Sequence, residues 1–302
     1  MEKDPKVAII ILNWNGFSDT IRCLNSLVKL NYSDFRVVLV DNGSDGDEGD
    51  RIKEMFPDVH LIRNSVNKGF AEGNNDGIKW AVENNFGYVW ILNNDTVVDK
   101  NSLKKQIACF SGKNVGVVGS KIKITGGERI WSKGIDLIRI SIVPPGIAFF
   151  SNIDEGKKDT ADRSRREMKY ISGCSMMFRT DLENIFFSDK FFAYCEDMEL
   201  CLRIRREGCR LVYEPGSVVY HKATRSSGGH KFNEITAYYG YRNKIIFIRD
   251  AFGLYVLLLL MPFYAACFLR DIAKTVLFYD RKKILIRAMM KGFIDGARYI
   301  LR

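Results

Sequence analysis

The chain has 302 residues, 46% hydrophobic and 27% charged, with a formal net charge of +10. That length buries a full core, as one large domain or a domain with an appendage, and the composition excludes a disordered chain. Seven cysteines without a CxxC pair exclude a disulfide framework and imply no zinc site. No secretory signal is evident in Met1-Glu2-Lys3-Asp4-Pro5, so a reducing, cytoplasmic setting is expected.

In chain order, Val7–Leu12 is apolar on both faces and reads as a buried strand, followed by Asn13-Trp14-Asn15-Gly16. Thr20, Cys23, Leu24, Leu27 and Leu30 then recur at helical spacing. Arg36–Val40 predicts a second strand ending in Asp41-Asn42-Gly43-Ser44-Asp45, and Val59–Ile62 a third. Phe70–Val82 reads as a helix, and Tyr88–Leu92 as a fourth strand ending in Asn93-Asn94-Asp95. Such strands separated by helices imply a mostly parallel α/β sheet covered on both faces. Polar residues gather just past the strand ends, where open α/β sheets bind ligands.

Beyond these, Ser151–Lys169 is polar and rich in both charge signs, which suggests a mobile loop. Order returns at Tyr170–Phe178. Asp197–Glu207 predicts a helix stopped at Gly208, with short strands at Leu211–Tyr213 and Val218–Tyr220, and everything from Glu234 onward reads as helix.

Several tips carry residues suited to chemistry. Asp41 can serve an ordinary turn, or accept hydrogen bonds from a pyrimidine base or ribose. Asp95 can likewise cap an Asx turn, or bind a hard divalent cation that bridges two phosphates. Glu196, Asp197 and Glu199 suit a helix N-terminus, and Glu199 with Arg203 is a favourable i, i+4 pair. A carboxylate behind Phe192-Ala193-Tyr194 equally suits a general base. His221 at a strand end is either a surface histidine or a metal ligand beside Asp95. The Ser226-Ser227-Gly228-Gly229 run before His230 suggests a flap. No GxGxxG follows the first strand, which argues against a dinucleotide enzyme.

The excess positive charge is local. Residues 242–302 hold twelve Lys/Arg against four Asp, beside Ala251–Leu269, nineteen residues without a formal charge. Basic groups next to a long apolar segment point to an anionic membrane surface, and no nucleic-acid partner is expected. Pro262, the basic residues on both sides and the amphipathic stretch around Ile284, Ile286, Met289 and Phe293 favour helices lying in or dipping into the interface over a simple span.

Taken together, Ile11-Leu12-Asn13-Trp14-Asn15-Gly16, Val40-Asp41-Asn42-Gly43-Ser44, Asn67-Lys68-Gly69-Phe70-Ala71, Leu92-Asn93-Asn94-Asp95, Gly173–Met177, Glu196-Asp197-Met198-Glu199-Leu200, Val219-Tyr220-His221 and Arg242-Asn243 resemble, in order, the motifs of family 2 glycosyltransferases, especially the rhamnosyltransferase-like branch. The resemblance covers about residues 5 to 250. It implies a GT-A fold (Rossmann-like, a mostly parallel mixed sheet flanked by helices), a UDP- or dTDP-sugar donor, a divalent metal (Mg²⁺ or Mn²⁺) and inversion at the anomeric carbon. By that resemblance Leu12, Asn13, Asn15, Asp41, Asn67, Lys68, Gly69, Asn93 and Asn94 would contact the nucleotide sugar. Gly173, Cys174 and Glu196 would line the sugar pocket, Asp95 and His221 would hold the metal, and Asp197 would be the catalytic base. Asn93 stands in place of the first acid of the family's DxD motif, leaving the metal role to Asp95.

Residues 1–250 are thus expected to form the transferase domain, and residues 251–302 hydrophobic and basic helices that associate with a membrane. The implied activity is hexosyl transfer to a glycan or lipid-linked acceptor in polysaccharide or glycoconjugate synthesis, at the inner face of the cell membrane. A sugar nucleotidyltransferase would carry a glycine-rich basic loop after the first strand, which Asn13–Gly16 is not. A non-catalytic membrane-bound scaffold with the same fold is the other alternative.

Overall fold

The computed structural model describes residues 4–140, 147–160, 162–222 and 233–300; the run from Ser226 to Gly229 and His230 lie outside them. The chain divides into two compact units. One comprises Met1–Ile135, Asn152–Phe192 and Glu196–Lys222, the other Asp136–Ser151, Ala193–Cys195 and Ala223–Arg302.

The first unit opens with β1 (Val7–Asn13), α1 (Phe17–Leu27), β2 (Phe35–Asn42), α2 (Glu48–Met55), β3 (His60–Asn64), α3 (Gly69–Glu83) and β4 (Tyr88–Asn93). Val7 to Ile11 are fully buried because β1 lies between two parallel partners, β2 and β4, with helices on both faces. Next come β5 (Thr96–Val98), α4 (Ser102–Ile107), β6 (Val115–Ile124) and β7 (Ile130–Ser132). The second unit's two-stranded sheet is β8 (Ile135–Ile140) with β9 (Ile147–Asn152). β10 (Arg166–Met168), β11 (Ser175–Arg179), α5 (Glu196–Arg206) and β12 (Arg210–His221) complete the first unit.

Its ten-stranded sheet runs β10-β12-β6-β11-β4-β1-β2-β3, with β5 on β12 and β7 on β6. β11 is antiparallel to both β4 and β6, so the sheet is mixed around a parallel half. The expected mostly parallel, helix-flanked sheet is therefore present, with β1, β2 and β4 within a residue or two of their predicted ranges.

Three readings of the sequence need correction. The two short strands expected at Leu211–Tyr213 and Val218–Tyr220 are one strand, β12, whose register with β6 shifts between Glu214 and Val218. Pro215-Gly216 supplies the irregularity, since proline cannot donate to the ladder. The polar stretch after Ser151 contains β10, and its charges are paired. Asp159 holds the buried Lys121 at 3.1 Å and Lys123 at 3.4 Å, while Lys133 reaches Asp154 at 3.1 Å. Opposite charges that meet across a fold look like solvated polar sequence until their partners are known. β6 was not foreseen at all.

Where α3 begins, Gly69 has φ +83°, and a Cβ there would stand 2.3 Å from the Phe192 carbonyl oxygen. Only glycine accepts both the left-handed backbone and that approach. The Phe70 amide donates to the same carbonyl at 2.6 Å, so the 67–70 turn is locked to the segment that precedes α5.

In the second unit, α6 (Glu234–Phe278) is capped by Asn233, whose side chain accepts from the Thr236 amide at 2.9 Å. It is interrupted at Gly253 (φ 88°, ψ 170°). Beyond that break the helix returns along itself, because the Tyr264 hydroxyl donates to the Tyr241 carbonyl at 2.8 Å and Tyr241 to Asp271 at 2.9 Å. α7 (Lys282–Ile300) packs on it through Leu285, Met289 and Phe293, the last stacked on Tyr264.

Candidate functional site

The parallel register brings three polar strand ends to one edge of the sheet. Asn13 pairs with Asp41 across β1 and β2, and Leu12 pairs with Asn93 across β1 and β4. Loops leaving these tips are tied by side chains. Asn13 is fully buried; its Nδ2 donates to Ser44 Oγ and Glu48 Oε2, both at 3.0 Å, and its Oδ1 accepts from Thr20 at 2.7 Å. Asn94 donates to the same Thr20 hydroxyl at 3.0 Å, and Asn15 donates to Asp45 at 3.0 Å. Asp41 accepts from the Ser44 amide at 3.2 Å, an Asx turn.

Asn42 was not singled out from the sequence, yet it organises the next loop. Buried, it donates to Asn67 Oδ1 at 3.1 Å and the Gly69 carbonyl at 3.0 Å, and accepts from Asn64 and from the Lys68 amide. Glu48 and Thr20 were missed for the same reason. Their partners lie on other elements, and only Thr20, a polar residue at a buried helical position, gives a hint. Lys68 Nζ is 2.8 Å from Asp76, so the ammonium expected at the nucleotide pocket rests on a carboxylate of α3.

Asp95 follows β4, and β5 pairs with β12 so that Thr96 faces His221. As a result His221 Nε2 lies 3.1 Å from Asp95 Oδ1. The imidazole is buried with its ring 4.6 Å edge-on to Trp131. An imidazole nitrogen and a carboxylate oxygen this close make a direct contact, and both are donor types that could serve a divalent cation. Among the described residues no group of three or more His, Cys, Asp or Glu side chains forms a metal cluster. Were this pair to hold a cation, its other positions would fall to ligands from outside the protein.

Asp197 sits in the first turn of α5. Its Oδ2 accepts from the Gly173 amide and its Oδ1 from the Met198 amide, both at 2.8 Å. Glu199 takes the ion pair with Arg203 at 2.7 Å, which leaves Asp197 with backbone partners. A short backbone path links Asp197 to the strand that leads to Asp95. The Asn93 amide donates to the Cys174 carbonyl at 3.0 Å, while the Gly173 amide donates to Asp197. The buried Cys174 thiol is pushed well above its ordinary range, mainly by burial, then by the charge of Asp95, with Asp197 contributing. Both carboxylates thus act on one side chain.

Burial raises the pKa of Asp197, opposed by the amide donors at Gly173 and Met198. Next to it, Glu196 is buried with Oε2 lacking a hydrogen-bond partner among the described residues. Burial first, and the Asp197 charge second, push Glu196 well above the usual carboxylate range. Each of these neighbouring carboxyls is thus harder to ionise than in water, because burial penalises its charge.

Asp95, His221, Asn93, Gly173, Cys174, Glu196 and Asp197 therefore belong to one connected set. Asn13, Asn15, Asn67 and Asn94 instead spend their side chains on shaping the loops. A recess of about 530 Å³ lies elsewhere, between α1, the start of β2 and residues 55–59. It is mainly apolar and holds none of these groups.

The model of Glycosyl transferase family 2 matches residues 8–186. The low-salt glycan biosynthesis hexosyltransferase Agl10 of Haloferax volcanii is 26% identical over 208 residues, 68% of this chain and 63% of the relative. The chain thus spans less than two thirds of that protein's length. Among solved structures, the mannosyltransferase PcManGT of Pyrobaculum calidifontis, in complex with GDP-Man and Mn²⁺, aligns with a TM-score of 0.56 at 15% identity, covering 99% of this chain and 88% of its own. GalNAc-T7 with UDP, GalNAc and Mn²⁺ aligns with a TM-score of 0.56 at 15% identity, covering 73% and 44%. At these identities the two structures establish a shared fold.

The Glu196 environment has a thermodynamic consequence. Unfolded, this carboxyl ionises near the ordinary value of about 4.3; folded, it keeps its proton to higher pH. The native state therefore binds the extra proton between those two values, and its stability falls as pH rises across that window. The melting temperature of Glu196→Gln should gain on wild type as pH is raised from about 4.3 through the folded pKa. A constant difference across that range would mean that Glu196 is not held neutral.

Proposed function

The chain belongs to Glycosyl transferase family 2 and has a GT-A fold, and on that premise we propose that it moves a hexose from a UDP- or dTDP-sugar to a hydroxyl of a glycan or lipid-linked acceptor, with inversion. The observation that supports this most is the hydrogen-bonded path from Asp197 through Gly173 and Cys174 to Asn93 and on to Asp95 and His221. It sets a candidate base and a candidate metal pair on the same strand tips.

In this reading Asp41 and the 67–69 turn receive the nucleoside, and Gly173, Cys174 and Glu196 line the sugar pocket. Asp95 and His221 would hold the cation. A mixed nitrogen and oxygen donor pair favours Mn²⁺ over Mg²⁺, and both solved structures contain Mn²⁺. When bound, the ion would neutralise charge on the departing diphosphate. Asp197 takes the proton of the acceptor hydroxyl. That oxygen forms its bond to the anomeric carbon as the bond to the diphosphate oxygen breaks on the opposite side, and the configuration inverts. The raised pKa of Asp197 suits it to accept a proton. Lys68 would exchange Asp76 for a phosphate oxygen when the donor arrives.

Residues 1–250 make the transferase domain in this proposal, and 251–302 the membrane-associating part, at the cytoplasmic face as a peripheral or monotopic protein. Glu234–Phe278 is the one helix among the described residues long and apolar enough to cross a membrane, and 17% of its apolar window is buried. Past Gly253 it exposes Tyr255 (81%), Leu259 (62%) and Leu258 (57%), and Arg281, Lys282 and Lys283 follow. The return of the helix at Gly253 supports insertion into one interface over a straight span. Such a surface suits a lipid-linked acceptor.

Asp197→Asn keeps an acceptor for the Gly173 amide and removes the base. Transfer should fall by about 10²–10⁴-fold, while donor affinity by titration calorimetry stays within about threefold of wild type. Equal loss of both would make the residue structural. In flotation assays the full chain should bind vesicles containing phosphatidylglycerol more tightly than pure phosphatidylcholine. Leu258→Ser with Leu259→Ser should weaken that binding at least about tenfold; binding unaffected by either change would rule out this surface.

A further inference from the structure

The backbone leading into α5 is strained. Tyr194 and Cys195 have φ 71° and 76°, two adjacent side-chain-bearing residues in the left-handed region that glycine ordinarily fills. Residues in that state persist only where their surroundings over-determine them, and such positions gather at functional sites. The next two residues are Glu196 and Asp197.

A buried side chain grips the two carbonyls of this segment. Asn243, in α6, is fully buried. Its Nδ2 donates to the Ala193 carbonyl at 2.8 Å and the Tyr194 carbonyl at 3.0 Å, using both of its protons. Its Oδ1 accepts from Arg242 Nη1 at 2.7 Å, which fixes the amide's orientation. The reverse orientation would set an oxygen against two carbonyl oxygens. The Tyr194 hydroxyl is tied to Thr236 Oγ1 at 2.9 Å. Ahead of the strained pair, the Phe192 carbonyl accepts from the Phe70 amide.

We propose that Asn243 is a positioning residue for catalysis: by clamping the carbonyls of Ala193 and Tyr194 it keeps residues 194–195 left-handed and so sets where α5 starts and how Asp197 is aimed. This rests on the assignment of Asp197 as the base. Asp197 takes its two hydrogen bonds from Gly173 and from Met198 in its own first turn. A shift of the helix start misaligns one against the other. The Arg242-Asn243 pair thereby gains a role that requires no contact with donor or acceptor.

The test is a kinetic cycle on the full chain. Asn243→Ala should lower kcat at least tenfold with the donor KM within threefold of wild type. Cys195→Gly alone should retain most activity, since glycine adopts a positive φ unaided. In the Cys195→Gly background, Asn243→Ala should cost markedly less than in wild type. Asn243→Ser, which keeps one donor, makes the same comparison if the alanine variant does not accumulate folded. An equal loss in both backgrounds, or a loss carried by KM, overturns the proposal. Asp197→Asn is assayed alongside: full activity there refutes the base assignment, whereas absence of glycine relief refutes the clamp, so the two failures are distinct.

Discussion

Two hydrogen bonds from backbone amides tie the strand tip to the helix start: Asn93 amide to Cys174 carbonyl, and Gly173 amide to Asp197 carboxylate. They join the tip of a central parallel strand to the start of a helix that follows it by about a hundred residues. β11 makes this possible by running antiparallel to β4, with Ser175 opposite Leu92. The turn before β11 must then lie beside the polar end of β4. The mixed character of the sheet is thus a requirement of the site, since a parallel strand in that position would put its preceding loop at the other edge.

Around this joint, electrostatics and burial oppose each other. A helix N-terminus favours negative charge, and amide donors stabilise an ionised Asp197. Burial resists two charges there and raises both carboxyls, Glu196 well above its ordinary range. Lys68 shows the same economy, its charge matched by Asp76 within α3.

Much of this was legible in the sequence. Continuous apolar runs ending in Asn or Asp gave β1, β2 and β4 and their shared ligand edge, because strands buried on both faces have little other explanation. Glu199 and Arg203 pair as their spacing predicts, which separates Asp197 from the helix's ordinary salt bridge. What the sequence hid depends on distant partners. α2 is highly charged and buries chiefly Ile52, too little for a periodic signal. β6 is broken up by glycines and lysines whose counter-charges, such as Asp159, lie outside it. Asn42 is one polar residue in a run of them, and its role appears only when the 64–69 loop folds over it. The strain at Tyr194 and Cys195 was invisible, since neither residue type advertises a left-handed backbone.

The central claim is that Asp95 and His221 hold one divalent cation beside the nucleoside diphosphate. Electron spin-echo envelope modulation of Mn²⁺ bound with UDP tests it most directly. The account predicts a directly coordinated ¹⁴N signal that disappears in His221→Gln while the phosphorus couplings remain. A wild-type spectrum with phosphorus couplings and no coordinated nitrogen would contradict it.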